Sequence, residues 1–354
     1  MLNPKIIKEI EKIVSRENIL KEKEEVICYS YDAGEEKNIP DLVIIPERKE
    51  EIREIIKIAS KNKIPIIPRG AGTNLSGGSV SLNGGIVIAT NKMNKILEID
   101  QENLTCLVQP GVITENLQKE VEKIGLFYPP DPSSLKSCTI GGNVAEGAGG
   151  PRAFKYGTTK DYVLSLEVIL ANGDIIKTGG KCIKSVSGYD LTHLLIGSEG
   201  TLCFITEILL KLIPLPLTKK TILIKYQDLD SASLSVSCII KEKIVPSTCE
   251  LIDKTTLQAV EEYLKLGLKE EAILLIEVDE DVENNINKIK DVALKNNAKE
   301  IMIAKDEKET EELWRARRAC LPALSKLRPT TLLEDVTVPR SKLPDAVRGI
   351  RNIA

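Results

Sequence analysis

Apolar and polar positions follow two rhythms along this chain, and the rhythm switches between strand and helix several times before residue 125. At the amino end Ile6, Ile7, Ile10, Ile13 and Val14 recur at helical spacing among lysines and glutamates, which predicts an amphipathic helix. PDLVIIP (40–46) is a short apolar run closed by proline, hence a strand, and ERKEEIREIIKIASKN (47–62) follows with Ile52, Ile55, Ile56 and Ala59 on one helical face. IPIIP (64–68) is again a strand. GGIVIAT (84–90), KILEID (95–100) and LTCLVQPG (104–111) read as strands at hairpin-like spacing, and ITENLQKEVEKIG (113–125) reads as a helix closed by Gly125. DYVLSLEVILANGDIIKTG predicts two strands joined by an Asn172-Gly173 turn. Beyond residue 218, TILIKYQD and EAILLIEVD read as strands, and SASLSVSCIIKEK and VENNINKIKDVALKNN as helices, which predicts an α+β layer.

Glycine divides the chain. Twenty of the 23 glycines fall between Gly70 and Gly200. Such density marks backbone that turns tightly or is closely approached, as a ligand-wrapping scaffold requires. Pro214 and Pro216 punctuate the change to Lys/Glu/Ile-rich text, so domains are expected over 1–217 and 218–354. A length of 354 residues suits two domains at roughly 150 residues each.

Composition excludes more than it selects. The chain is 42% hydrophobic and 29% charged with a net charge of -3, so it has the makings of a globular core and no basic face for nucleic acid. The amino end has no apolar signal-peptide region, and no run reaches the roughly 18 apolar residues of a membrane span, so a cytoplasmic protein is expected. Eight scattered cysteines without a C-x-x-C pair read as reduced thiols. The single histidine, His193, cannot build a His-rich metal site.

Candidate chemistry lies in the two glycine segments. The first, Pro68-Arg69-Gly70-Ala71-Gly72-Thr73-Asn74-Leu75-Ser76-Gly77-Gly78, follows a strand and offers converging backbone N–H groups for phosphate oxygens. It fails the G-x-G-x-x-G fingerprint, because Leu75 stands at the third glycine. It also fails the P-loop, because Gly78 follows Gly77 where lysine is required. The second segment, Pro130 to Gly150, has a proline-stiffened entry and small residues after Ser137, so it can lie along an extended ligand.

PRGAGTNLSGG, PPDPSS with TIGGNVAEGAGG, KYGTTKDYVLSLEVILANG and SGYDLTHLLIGSEGTL, in that order, resemble the FAD-linked oxidases of the vanillyl-alcohol oxidase superfamily. Within it the wording is similar to the FAD subunit of glycolate oxidase and to D-lactate dehydrogenases. The resemblance implies a PCMH-type FAD-binding domain of two α+β subdomains, followed by an α+β cap domain. It implies FAD-dependent oxidation of a D-2-hydroxy acid, glycolate or D-lactate, to the 2-oxo acid by hydride transfer to flavin N5. Electrons would pass to an iron–sulfur subunit, an electron-transfer flavoprotein or a quinone, with placement at a membrane only through such a partner.

By position, Pro68, Arg69, Gly70, Ala71, Gly72, Thr73, Asn74, Leu75, Gly77 and Gly78 would hold the pyrophosphate. Asp131, Pro132, Ser133, Ser134, Thr139, Gly141, Gly142, Asn143 and Gly150 would run beside the ribityl chain and isoalloxazine, and Val163, Gly200 and Ile205 would line the adenine end. Some relatives bond the flavin through a histidine where this chain has Thr73, so non-covalent FAD is expected. The usual T-L-G-I is Thr201-Leu202-Cys203-Phe204 here, a change that bears on packing at the adenine end.

The family's W-x-x-R arginine, which takes the substrate carboxylate, corresponds to Arg317 after Trp314; a solvated helix face is the competing reading. Lys184 and Tyr189 lie in the family's K-x-x-x-G-Y-D-L stretch near the flavin. His193, with no partner acid apparent in sequence reach, reads as structural rather than as a base. Relatives continue for roughly a hundred residues that carry metal-binding and catalytic histidines. This sequence ends without them, so the family's divalent metal site is not expected in this chain. The cap is therefore expected to be incomplete and the chain alone to show little or no turnover of D-lactate or glycolate; a flavin-binding but catalytically silent fragment or subunit is the alternative expectation. A reductase of enolpyruvyl sugar nucleotides, from the same superfamily, is the third.

Overall fold

A computed structural model describes residues 2–328 and 330–353. Residues 1–150 and 157–215 form one compact unit, and 151–156 with 216–354 form a second.

The first unit holds two sheets. Helix α1 (Pro4–Ile10) stops short of the periodic stretch that predicted it, and buried Val14 follows in a turn. Strand β1 (Ile19–Leu20) and the single-turn helix α2 (Lys23–Val26) lead to β2 (Leu42–Ile44). Helix α3 (Lys49–Lys61) begins where Glu51 reaches back to the N–H groups of Glu47 and Arg48, at 2.9 and 3.3 Å, satisfying donors that a helix start leaves open. It buries the predicted face of Ile52, Ile55, Ile56 and Ala59. Strands β3 (Ile66–Arg69) and β4 (Ile86–Ala89) complete a sheet in the order β1-β2-β4-β3, parallel except for β1. The strand period of two sorts its side chains: Leu42, Ile44, Ile86 and Ile88 pack with α3, and Val43 and Val87 pack with Val26 opposite.

The second sheet is antiparallel. Strands β5 (Ile96–Asp100) and β6 (Thr105–Val108) form a hairpin, after which come α4 (Thr114–Glu122), β7 (Leu126–Phe127) and α5 (Ile140–Glu146). Six residues carrying α6 (Ala153–Tyr156) then group with the second unit. The chain returns as β8 (Val163–Ile169) and β9 (Ile175–Gly179), joined at the predicted Asn172-Gly173 turn, where Gly173 adopts φ 86°. Helix α7 (Leu191–Leu195) precedes β10 (Phe204–Lys211), which inserts centrally to give β5-β6-β10-β8-β9, and β11 (Ile213–Pro214) pairs with β7. One sequence expectation is corrected here. GGIVIAT is no hairpin partner of KILEID: β4 is an interior parallel strand of one sheet and β5 an edge of the other, because β4 is apolar on both faces. The middle of the second glycine segment forms α5, a helix that the hydrophobic pattern did not reveal.

The second unit alternates strand and helix, βαβαβαβ, around one sheet. Its strands β12 (Lys220–Tyr226), β13 (Thr248–Asp253), β14 (Ala272–Val278) and β15 (Ala298–Ile303) lie in the order β13-β14-β12-β15, every neighbouring pair antiparallel. Helices α8 (Leu229–Lys241) and α10 (Val282–Lys295) cover one face through Val236, Ile239, Ile286 and Ile289. The other face meets α9 (Lys254–Leu264), α11 (Glu307–Arg318) and α12 (Cys320–Leu324) through Leu257, Val260, Ala316 and Cys320. β14 is buried along its whole length and reads as an apolar run from Ala272 to Ile276; β13 and β15 carry Glu and Lys at the sheet edges, which hid them from the apolar pattern. Helix α13 (Leu343–Ile353) closes the described chain.

Candidate functional site

The parallel strands β3 and β4 deliver the first glycine segment to their carboxyl ends, where open α/β sheets place ligands. A cleft of about 230 Å³ opens there. It is lined by Pro68 through Leu75 and Gly78, by Pro132, Ser134, Thr139 and Gly141 to Asn143, and by Gly200 and Ile205. The structure thus brings the two segments together with the turn before β10. A second cleft of similar size shares Pro68, Gly200, Cys203 and Phe204 with it and is otherwise mostly apolar, with Ile56, Ile64, Ile66, Ile169 and Leu202 in its walls beside Ser60 and Thr201. An extended ligand with one polar and one apolar end suits this pair.

Within the first cleft the segments contribute differently. Among the described residues, no backbone N–H from Gly70 to Ser79 donates a hydrogen bond to the protein. Ten consecutive donors lie open on a half-buried loop, the arrangement that binds phosphate oxygens. The loop is held instead by side chains: Asn74 Nδ2 donates to Asp32 Oδ2 at 2.7 Å, and Ser79 Oγ donates to Asn74 Oδ1 at 2.8 Å. Arg69 lies buried beneath it, donating to the carbonyls of Tyr31 (2.7 Å) and Ser79 (3.1 Å). Its charge supports the loop from below, and burial draws its pKa down while Asp32 opposes that shift.

In the second segment the donors are committed. Ile140 N–H donates to Val112 O and Gly141 N–H to Pro110 O, both at 2.8 Å, while Gly142 N–H meets Thr139 Oγ1 at 3.2 Å. Asn143 Nδ2 donates to buried Thr114 Oγ1 at 2.7 Å. Here glycine serves close approach: a Cβ on Gly141 would lie 2.5 Å from Pro110 Cβ; where the two segments meet, one on Gly70 of the first would lie 2.3 Å from Thr139 Oγ1. Gly200, at φ 75°, leaves no room for a Cβ against Pro68.

Residues that sequence reasoning missed also line the cleft, among them Ser79, Thr90, Pro110, Glu146 and Glu199. Glu146 ends α5. The turn that carries Glu199 docks on that end, Gly197 N–H donating to Val144 O and Glu199 N–H to Ala145 O. Glu199 is held at φ 50°, a left-handed conformation costly for a glutamate. Both acids stand inside the quoted motifs TIGGNVAEGAGG and SGYDLTHLLIGSEGTL, so the signal lay in the sequence, on residues other than glycine. Burial pushes the Cys203 thiol up to about 11, so it stays protonated at neutral pH.

Other predicted residues lie elsewhere. Gly77, Asp131, Ser133, Gly150 and Val163 are not in the cleft wall. Gly150 abuts the backbone of Asp131, where a Cβ would lie 2.2 Å from its carbonyl oxygen, and Val163 is buried in β8. Lys184 and Tyr189 are exposed in the irregular stretch before α7, Tyr189 at 97%, and neither lines a cleft. His193 does have an acid in sequence reach, contrary to expectation: its Nδ1 lies 2.6 Å from Asp190 Oδ2, and Asp190 caps α7 by accepting the His193 N–H. In the second unit, Arg317 Nε donates to Glu250 Oε2 of β13, and no hydrogen bond from its two Nη groups joins that pair among the described residues. Arg318 pairs with Glu311 along the helix surface.

Residues 40–179 match the family described as FAD binding domain, and residues 215–354 match the C-terminal domain of FAD linked oxidases. The chain is 52% identical to the glycolate oxidase subunit GlcD of Bacillus subtilis, over 93% of this chain and 71% of that one. It is 38% identical to a D-lactate dehydrogenase of Anaerostipes hadrus, over 86% and 67%. Among solved structures, an alkyldihydroxyacetonephosphate synthase matches with a TM-score of 0.81 at 21% identity, covering 100% of this chain and 75% of that one. A p-cresol methylhydroxylase matches at 0.77 and 19%, covering 92% and 72%. At such identities these two likenesses speak to the fold.

Proposed function

This chain belongs to the FAD-linked oxidases and is an FAD-binding oxidoreductase, and from that premise we propose that it oxidises a D-2-hydroxy acid, glycolate or D-lactate, to the 2-oxo acid. The observation that carries the reading is the run of N–H donors without a protein partner from Gly70 to Leu75 and at Gly78, which line the cleft at the end of β3: it fits a diphosphate without needing a lysine. When bound, FAD supplies the hydride acceptor at N5. The names of the similar proteins, a glycolate oxidase subunit and a D-lactate dehydrogenase, support the substrate class.

In this reading residues 1–217 hold the cofactor and 218–354 the substrate. Arg69 to Gly78 take the diphosphate, the Thr139–Asn143 wall flanks the flavin, and the apolar cleft beside Gly200 takes the adenine end. Arg317, anchored at Nε by Glu250, offers its two Nη donors to the substrate carboxylate. Thr73 presents a hydroxyl where an imidazole would be needed for a covalent link, so FAD is held non-covalently and acid precipitation releases yellow flavin into the supernatant. Kinship with an oxidase subunit supports a partner that takes the electrons, an iron–sulfur or electron-transfer flavoprotein. Among the described residues no helix is long and apolar enough to cross a membrane. The eight free thiols support a reducing, cytoplasmic setting.

The test is anaerobic. D-lactate or glycolate added to the reconstituted protein should bleach the oxidised flavin band, L-lactate should not, and Arg317→Met should weaken the response about a hundredfold. Flavin that dithionite bleaches but neither acid does would sink the substrate assignment and favour a catalytically silent subunit.

A further inference from the structure

Four carboxylates stand beside the loop that fits a diphosphate, and two of them, Glu146 and Glu199, line the cleft. Asp32 accepts from Asn74, the side chain of Glu36 lies against Gly77, and Glu146 and Glu199 flank Gly78, where a Cβ would lie 3.4 and 2.7 Å from their carboxylate oxygens. The one cation among these charges is Arg69, already committed to Tyr31 and Ser79 beneath the loop. Ser76 Oγ lies 3.2 Å from Glu146 Oε2 and 3.1 Å from Glu199 Oε2. A serine hydroxyl has one proton to give, so it serves one of these acids and leaves the other facing it without a donor. Two carboxylates converging on one hydroxyl are satisfied together when one of them is protonated.

We propose that the cleft binds its dinucleotide diphosphate together with one proton, taken from solvent by the Glu146–Glu199 pair. The inference rests on the reading that the loop from Arg69 to Gly78 holds the diphosphate. Bringing a dianion against the pair raises the cost of keeping both carboxylates charged, and one proton removes the repulsion while leaving the open N–H groups free for phosphate oxygens. Glu146 is the seat of the proton. It is the more enclosed, and burial first, then Glu199 and Asp32, already push its pKa up in the free protein; its contact with Ser76 pulls the other way. The charged groups facing it are Glu199 from the turn before β10 and Asp32 from the loop before β2.

A group whose pKa rises on binding favours the complex fully below its free pKa, and that advantage fades as pH climbs through the free and then the bound value. FAD affinity should therefore fall with rising pH, by about tenfold for each unit that binding displaces the pKa. Titration calorimetry of the apoprotein with FAD, repeated in buffers of different ionisation enthalpy, reads proton uptake directly. Uptake approaching one proton between the free and bound values, abolished in Glu146→Gln with affinity becoming flat in pH, is expected. Glu199→Gln should lessen uptake while FAD still binds. FAD binding with no uptake from about pH 5 to about pH 9 would overturn the proposal, as would uptake unchanged in both variants or affinity that requires magnesium. Riboflavin, which lacks the diphosphate, is the control for the parent reading. If it binds with the same proton uptake as FAD, or if Asn74→Ala leaves FAD affinity untouched, the placement of the diphosphate falls instead.

Discussion

The two glycine segments look alike in composition and behave as opposites. The loop after β3 leaves its backbone donors open and is tied down by side chains, Asn74 to Asp32 and Ser76 to the two glutamates. The stretch around α5 spends its donors on Pro110, Val112 and Thr139, and uses missing Cβ atoms to press against neighbouring backbone. Glycine therefore supplies binding capacity in one place and packing distance in the other. A glycine-rich run becomes a ligand loop when its amide hydrogens have no partner at home.

This contrast predicts separable damage. The largest effect is expected at Gly141→Val, where the added carbons meet Pro110: stability should fall by about 3 kcal/mol, read as a lowered thermal midpoint of the apoprotein. An unchanged midpoint would show that the second segment is not packed as described. Next comes Asn143→Ala, which leaves the buried Thr114 hydroxyl short of its partner and should cost about 1–3 kcal/mol, again without FAD present. Asn74→Ala should do the reverse, lowering FAD affinity about tenfold with the apoprotein midpoint scarcely moved; equal losses in both measurements would erase the distinction. The smallest effect concerns thiols. Exposed Cys28 and Cys182 should alkylate promptly at neutral pH, whereas Cys203 in the cleft wall stays unlabelled because burial keeps its thiol protonated. Rapid labelling of Cys203 in the folded protein would show the second cleft to be open to solvent.

Much of the local structure was legible because period and punctuation suffice for it. The face of α3, the Asn172-Gly173 hairpin and the runs of β12 and β14 were visible in the hydrophobic pattern. Sheet membership was not. GGIVIAT sits between β2 and β3 because its two apolar faces need cover on both sides, and adjacency in sequence to KILEID has no bearing on that. α5 was hidden because its glycines, Asn143 and Val144 are weak helix formers; it persists where Thr139 caps it and Ile140 and Val144 are buried. Of the predicted cofactor residues, most converge on one cleft, while Lys184 and Tyr189 stand away from it on an exposed stretch.

By itself the sequence determined which segments could approach a ligand's backbone-bound phosphates, since the absence of side chains is written residue by residue. Only the tertiary structure decided which of those segments keeps its N–H groups free, and that four carboxylates surround the loop that does. Hydrogen-bond partners and electrostatic neighbours come from distant parts of the chain: Asp32, Glu146 and Glu199 meet at Asn74 and Ser76 through three separate elements. A one-dimensional pattern carries periodicity, whereas the charge around a site is a sum over space.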